Sequence, residues 1–270
     1  MCRSAYNWVI AVLIGVQALT QVTAKAGTTP EEVKAFNEHK TQAALGNAED
    51  QLRLALCYAR GNGVKQNYAE AMVWGIKAAE QGHAEAQYNV GGCYFYGSWV
   101  VKDQVRAAIW WRKAALQGHV GAQYNLAACY SNGEGVERDW VQSAAWYRKA
   151  AEHGHAGAQL SLAVRYYNGE GVPKDFVQSV YWNNKAAEQG HAMAQSNLAV
   201  CYERGEGVPV DLVQAYAYYL VAADQNEIAK ENLANLEKRL SKEAINDGKQ
   251  RAEKLHKEIK KKVAEKSASK

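Results

Sequence analysis

Four histidines recur at a spacing of 36 residues: His83, His119, His155 and His191. Imidazole is the side chain suited to proton transfer near neutral pH and to metal ligation. A ladder of imidazoles is therefore the first place to look for chemistry. Acids accompany it at Glu80, Glu152 and Glu188. Catalytic carboxylates work as a pair about 5–10 Å apart across one cleft. These three sit on separate repeats and read as solvated faces. Each histidine follows a glycine that ends a helix (Gly82, Gly118, Gly154, Gly190). A polar or cationic side chain is favoured there, near exposed carbonyls, so capping is expected rather than catalysis. His153 beside His155 makes a local pair, with no third ligand to complete a metal site. The Gly-x-Gly turns at 61–63, 133–135, 169–171 and 205–207 precede helices, but no strand comes before them. The dinucleotide fingerprint therefore lacks its structural setting. No Gly-x-Ser-x-Gly, His-Glu-x-x-His or Gly-Lys-Ser/Thr occurs. The expectation is no catalytic residue, no metal and no cofactor.

Cysteines share one phase as well. Cys57, Cys93, Cys129 and Cys201 are in register, with Arg165 at the equivalent place in the fourth repeat. Equivalent positions on successive helix pairs lie about 8–10 Å apart, whereas a disulfide needs Cα atoms within about 7 Å. A ladder so spaced cannot converge on one tetrahedral ion. Small, soft residues at crowded helix contacts are expected.

The elements that position these residues follow from the same period. Trp74, Trp110, Trp146 and Trp182 fall at one phase, and Gln51, Gln87, Gln123, Gln159 and Gln195 at another. Self-similarity at 20–50 residues marks a solenoid, here an all-α, α/α superhelical solenoid of 36-residue helix-turn-helix units. Five units are read at 47–82, 83–118, 119–154, 155–190 and 191–226. In each, a first helix of about 12 residues meets a glycine turn, which supplies the positive φ of a sharp reversal. A second helix then starts at an N-cap residue, Asn67, Asp103, Asp139, Asp175 or Asp211. It buries the tryptophan phase (Tyr218 in the last unit) and a pair of alanines. Trp99 replaces a turn glycine in the second unit, and is either folded back onto the core or an exposed anchor. Residues 28–46, opening on Thr29–Pro30–Glu31–Glu32, read as an N-terminal capping helix, and 227–240 as a C-terminal one. Residues 241–270 form a charged, basic helix or tail, with an apolar seam at Ala252, Leu255, Ile259 and Val263. That tail has three readings: a solvated helix, a helix docking a partner along the seam, or a weak contact with an anionic surface.

The net charge of +4 is uneven. The tail has ten Lys/Arg against five Asp/Glu, which leaves 22 against 23 in the rest. The array thus offers no basic stripe for a nucleic acid. At the other end, Arg3, the apolar run Trp8 to Leu19 and the small-x-small triplet Val22–Thr23–Ala24 read as a signal peptide over 1–24. Export to the periplasm or medium is expected. The alternative is membrane attachment through an uncleaved N-terminal segment.

The stretch Ala122–Gln123–Tyr124–Asn125–Leu126, Gly133–Glu134–Gly135–Val136 and Ala144–Ala145–Trp146–Tyr147–Arg148–Lys149–Ala150–Ala151–Glu152–His153–Gly154–His155 is similar to the Sel-1-like repeat family, a branch of the tetratricopeptide-type repeats. The resemblance covers about 47–226 and recurs five times. It implies a protein-interaction scaffold. Cysteine-rich members carry paired cysteines within each unit, and this chain has at most one per unit.

A binding surface is expected on the first helices, which line the concave side in helical solenoids. Candidate partner-binding residues are Tyr88, Asn89, Phe95 and Trp99 in the second unit, Tyr124 and Asn125 in the third, and Tyr167 and Asn197 further on. Aromatic rings supply rigid contact area, and Asn offers a donor and an acceptor to a peptide backbone. For Tyr88 and Tyr124, packing on the next unit is the competing role. The function read is a non-enzymatic, exported scaffold holding a protein or peptide. The alternatives are a cell-wall-directed hydrolase, β-lactamase-like, using the His and Glu ladders, and a membrane-tethered adaptor.

Overall fold

A computed structural model describes residues 28–268; the expected signal peptide at 1–24 and Cys2 lie outside them. Among the described residues there are thirteen helices and no strand. Helix α1 (Pro30–Ala44) starts as its sequence requires: Thr29 Oγ1 accepts from the Glu32 N–H while Glu32 answers the Thr29 N–H, a reciprocal capping box. The five repeats follow as α2 (Ala48–Arg60) and α3 (Tyr68–Glu80), α4 (Ala84–Tyr96) and α5 (Gln104–Leu116), α6 (Val120–Asn132) and α7 (Trp140–Glu152), α8 (Ala156–Asn168) and α9 (Phe176–Ala187), and α10 (Ala192–Arg204) and α11 (Leu212–Ala222). Helices α12 (Glu227–Glu237) and α13 (Lys242–Ala268) end the chain.

Local chemistry accounts for the boundaries. Asn67, Asp103, Asp139, Asp175 and Asp211 each cap a second helix by accepting a backbone N–H with the side-chain oxygen. Gly61, Gly97, Gly133, Gly169 and Gly205 end the first helices in the left-handed region, with φ between 70° and 77°. Trp99 is also left-handed, at φ 69°, a conformation unfavourable for a bulky residue.

The described residues divide into two compact units, 28–117 and 118–268. In the first, α1 to α5 pack in sequence order. Phe36, Ala43 and Leu54 make one core cluster, and Leu52, Met72, Ala78, Ala79, Ala86 and Val90 another. In the second, α6 to α12 pack in order, and α13 returns onto α11. Paired alanines at 150–151 and 186–187 are fully or nearly fully buried, which lets neighbouring helix axes come close.

Within each unit, a buried glutamine pins a repeat to the helix before it. The amide of Gln51 donates to the Ala43 carbonyl (3.2 Å), Gln87 to Ala79 (2.9 Å), Gln159 to Ala151 (3.0 Å) and Gln195 to Ala187 (3.3 Å). Gln81, Gln117 and Gln189 then donate to the oxygens of Gln51, Gln87 and Gln159. Left unpaired, each buried amide would cost about 1–3 kcal/mol. The recurrence of Gln at this phase follows from that.

Helix α13 takes up nearly all of the 241–270 tail, and its seam is turned toward the repeats. Ala252 is buried, and Ile259 and Val263 lie against Gly190. Arg251 pairs with Asp211 (2.9 Å) and Lys262 with Glu188 (2.9 Å), while Lys266 donates to the Gly154 carbonyl. The seam thus packs on its own chain rather than standing free for a partner, while most other side chains of α13 stay exposed, as the solvated reading expects. No described helix is long and apolar enough to cross a membrane.

Candidate functional site

The histidine ladder does cap helices, but at the opposite end from the one expected. Nδ1 of His83, His119 and His155 accepts the backbone N–H of Ala86 (3.4 Å), Ala122 (3.1 Å) and Ala158 (3.1 Å), at the N-termini of α4, α6 and α8. The glycine before each histidine turns the chain so that the ring faces the helix that follows. His153 meets a C-terminal carbonyl instead, that of Lys149 at 2.7 Å. An Nδ1 that accepts leaves Nε2 as the donor nitrogen of these rings. Nε2 of His83 meets Glu49 at 2.9 Å in keeping with this. Burial, and then the charge of Lys266, hold the His155 pKa below its ordinary value, and burial lowers that of His191. The lone pair a general base would use is engaged by the backbone at three of the rings. Glu80 and Glu152 are exposed, and Glu188 holds Lys262. No group of three metal-capable residues occurs among the described residues.

Most of the aromatic candidates are packing residues. Phe95 lies 5.0 Å from the buried ring of Trp111, and the Tyr88 carbonyl accepts from Trp111 Nε1 at 3.1 Å. Asn89 reaches Glu85 on its own helix. Trp99 is stacked on Tyr68 at 4.7 Å, folded back against the core. Tyr124 is stacked on His155 at 4.5 Å and tilted against Tyr147 at 5.7 Å. Asn125 is half-buried on α6.

Two candidates come together. Tyr167 on α8 and Asn197 on α10 line one cleft of about 210 Å³ with Val164, Ser179, Asn183, Val200 and Cys201. Its floor is polar and buried: Asn183 is 2% and Ser179 1% exposed. The Asn183 carboxamide accepts from Asn197 Nδ2 and donates to Ser179 Oγ, both at 3.4 Å. Its rim of Tyr167, Val164, Asn197 and Val200 is half-exposed. The Tyr167 hydroxyl donates to Glu206 at 2.8 Å, and burial with that carboxylate keeps the phenol protonated. Burial pushes the Cys201 thiol up to about 11, so it too is neutral.

A sequence profile described as Sel1 repeat matches residues 48–83, 84–119, 120–155, 156–191 and 192–227. The chain belongs to the Sel1 repeat family. Members of this family generally act as protein–protein interaction scaffolds and are typically non-enzymatic. Among solved structures, the chain is similar to a Sel1 repeat protein from Oxalobacter formigenes, at 33% identity and a TM-score of 0.68, covering 80% of this chain and 85% of that one. It is also similar to a protective antigen of uropathogenic Escherichia coli strains with an SLR fold, at 30% identity and a TM-score of 0.57. That match covers 88% of this chain and 60% of the antigen, so the chain spans less than two thirds of its length. No curated protein matches.

The cleft is a local departure from the Sel1 period. Position 183 is in register with Trp111, Tyr147 and Tyr219, all 5% exposed or less. Sequence reasoning missed Asn183, Ser179 and Cys201 as lining residues. The available signal was the break in that aromatic phase.

Proposed function

We propose that this Sel1 repeat chain is an exported, non-enzymatic scaffold that holds a protein or peptide partner on the faces of its first helices. What supports this most is the cleft itself: a phenol and a carboxamide from successive first helices, half-exposed above a buried, hydrogen-bonded floor. Aromatic side chains with few rotamers give contact area at low entropic cost. Carboxamides supply both halves of a backbone hydrogen bond. Export rests on the pattern of residues 1–24.

Affinity capture from the native compartment tests the reading. A partner held by the wild-type chain should be lost from Tyr167→Ala combined with Asn197→Ala, at unchanged helicity by circular dichroism. Equal retention by the double variant removes this surface from the function. N-terminal sequencing of the mature protein should find a start near Lys25, whereas a retained Met1 supports tethering.

A further inference from the structure

We propose that the cleft between α8, α9 and α10 receives one aromatic side chain of the partner, and that a tyrosine suits it best. This rests on the scaffold reading above and names what that surface recognises.

The argument comes from what stands at this register elsewhere in the chain. In the second repeat Trp111 fills the space, 2% exposed, with its ring 5.0 Å from Phe95. In the third, Tyr147 fills it, and the side chains of Ser161 and Arg165 lie near enough to its phenol to favour the ionised form against burial. In the fifth, Tyr219 fills it and donates to Glu203 at 3.1 Å. Phe95 and Glu203 occupy the register of Tyr167, and Ser161 occupies that of Asn197. The chain's own rings at this place thus meet the residues equivalent to the two rims of the cleft. In the fourth repeat Asn183 reaches the Asn197 position as a phenol would, but brings no ring. The first repeat has Gly75 here, yet Val90 and Ala55 close in to 3.6 and 3.9 Å of where its Cβ would stand. Only the fourth repeat, among the described ones, combines a short side chain with an open space of about 210 Å³. Sites for drug-sized ligands run to about 300–1,000 Å³, so this one has room for a single side chain.

The lining selects the chemistry. Val164 and Val200 offer apolar walls, and Tyr167 offers a ring edge or face. Asn183 and Asn197 keep amide valences for a hydroxyl. No lining residue is charged, and an ionised group entering would lose its hydration unpaired. An apolar ring ending in a neutral hydroxyl satisfies all three conditions. A buried aromatic anchor in a pocket is also the arrangement that dominates protein interfaces.

The test uses the full chain and p-cresol, the tyrosine side chain as a free molecule. Side-chain amide resonances of Asn183 and Asn197 should shift saturably with p-cresol, less with toluene, and not with 4-methylbenzoate. Asn183→Tyr places the ring in the same chain; it should abolish the p-cresol shifts at Asn197 and raise the Tm. Val200→Phe narrows the cleft from α10 and should abolish them independently, should the first variant misfold. Unmoved amide resonances, or p-cresol shifts that persist in whichever variant folds, overturn the proposal. If p-cresol fails while a captured partner still depends on Tyr167 and Asn197, the ring receptor falls and the scaffold stands. If capture ignores both residues, the scaffold reading falls by its own test.

Discussion

Acidification should weaken the second unit through His155. Its Nδ1 accepts the Ala158 N–H at 3.1 Å and its ring is stacked on Tyr124. Lys266 on α13 adds positive charge nearby. Protonation puts a hydrogen on Nδ1, which removes the cap and adds a positive charge beside Lys266. The native pKa lies below the unfolded 6.5. The unfolded chain therefore takes up the proton first, and stability falls with pH. The contribution is complete above pH 6.5 and declines between that pH and the lowered native value. Loss of an N-cap costs about 0.5–2 kcal/mol. In a chain of this size each kcal/mol moves Tm by about 2–4 °C. The control is His155→Asn, which caps through an oxygen that does not titrate. Thermal melts at pH 7.5 and 5 should show a larger acid loss for wild type than for His155→Asn, by about 1 kcal/mol, the worth of one cap. Lys266→Ala should shrink the wild-type loss by letting the His155 pKa rise. Equal acid losses in wild type and His155→Asn refute the reasoning.

Two further outcomes follow from backbone space. Gly171 has φ 73°, and a Cβ there would strike the Trp140 carbonyl, while Gly82 has φ 92° with nothing near. Gly171→Ala should therefore cost more than about 2 kcal/mol by urea denaturation and Gly82→Ala only about 1; similar losses would show that conformation alone sets the cost. Gly248 meets the Tyr216 ring, and an added Cβ would come within 2.5 Å of its Cδ1. Gly248→Leu should lift α13 and speed amide exchange over 249–266 with the repeats intact, and unchanged protection there contradicts the docked helix.

Much of the fold was legible because repeats write their rules several times. N-caps, turn glycines and the alanine pairs carry local chemistry that needs no tertiary knowledge, and the helix starts at Asp103, Asp139 and Asp175 follow from it. The histidine role was misplaced because periodicity places a side chain in the chain, not on one of the two helix ends that meet at a corner. Trp110 and Trp111 are neighbours, and the tryptophan phase pointed to the first. The buried face of α5, Ala107, Ala108, Ala114 and Ala115, selects the second. The tail's seam was visible, but its footing on Gly190 and Tyr216 depends on contacts distant in sequence.

Departures from the period divide by whether something replaces what was lost. Trp99 takes a glycine's place, and its indole finds Tyr68. Arg165 takes a cysteine's place, and its guanidinium pairs with Glu170, donates to Ser131 and lies 4.3 Å over Trp140. Both changes bring bulk, and the surroundings accommodate it with new partners. Asn183 is the opposite case. It removes a ring from a core position and keeps only the polar contact that the ring's hydroxyl would have made. Lost ring burial ordinarily costs about 3–5 kcal/mol unless the site collapses around it. Here the site has not collapsed, and a space of about 210 Å³ remains between the side chains of α8, α9 and α10. A scaffold that gives up packing at one repeat of five, and lines the gap with amides, is built to have that place filled from outside.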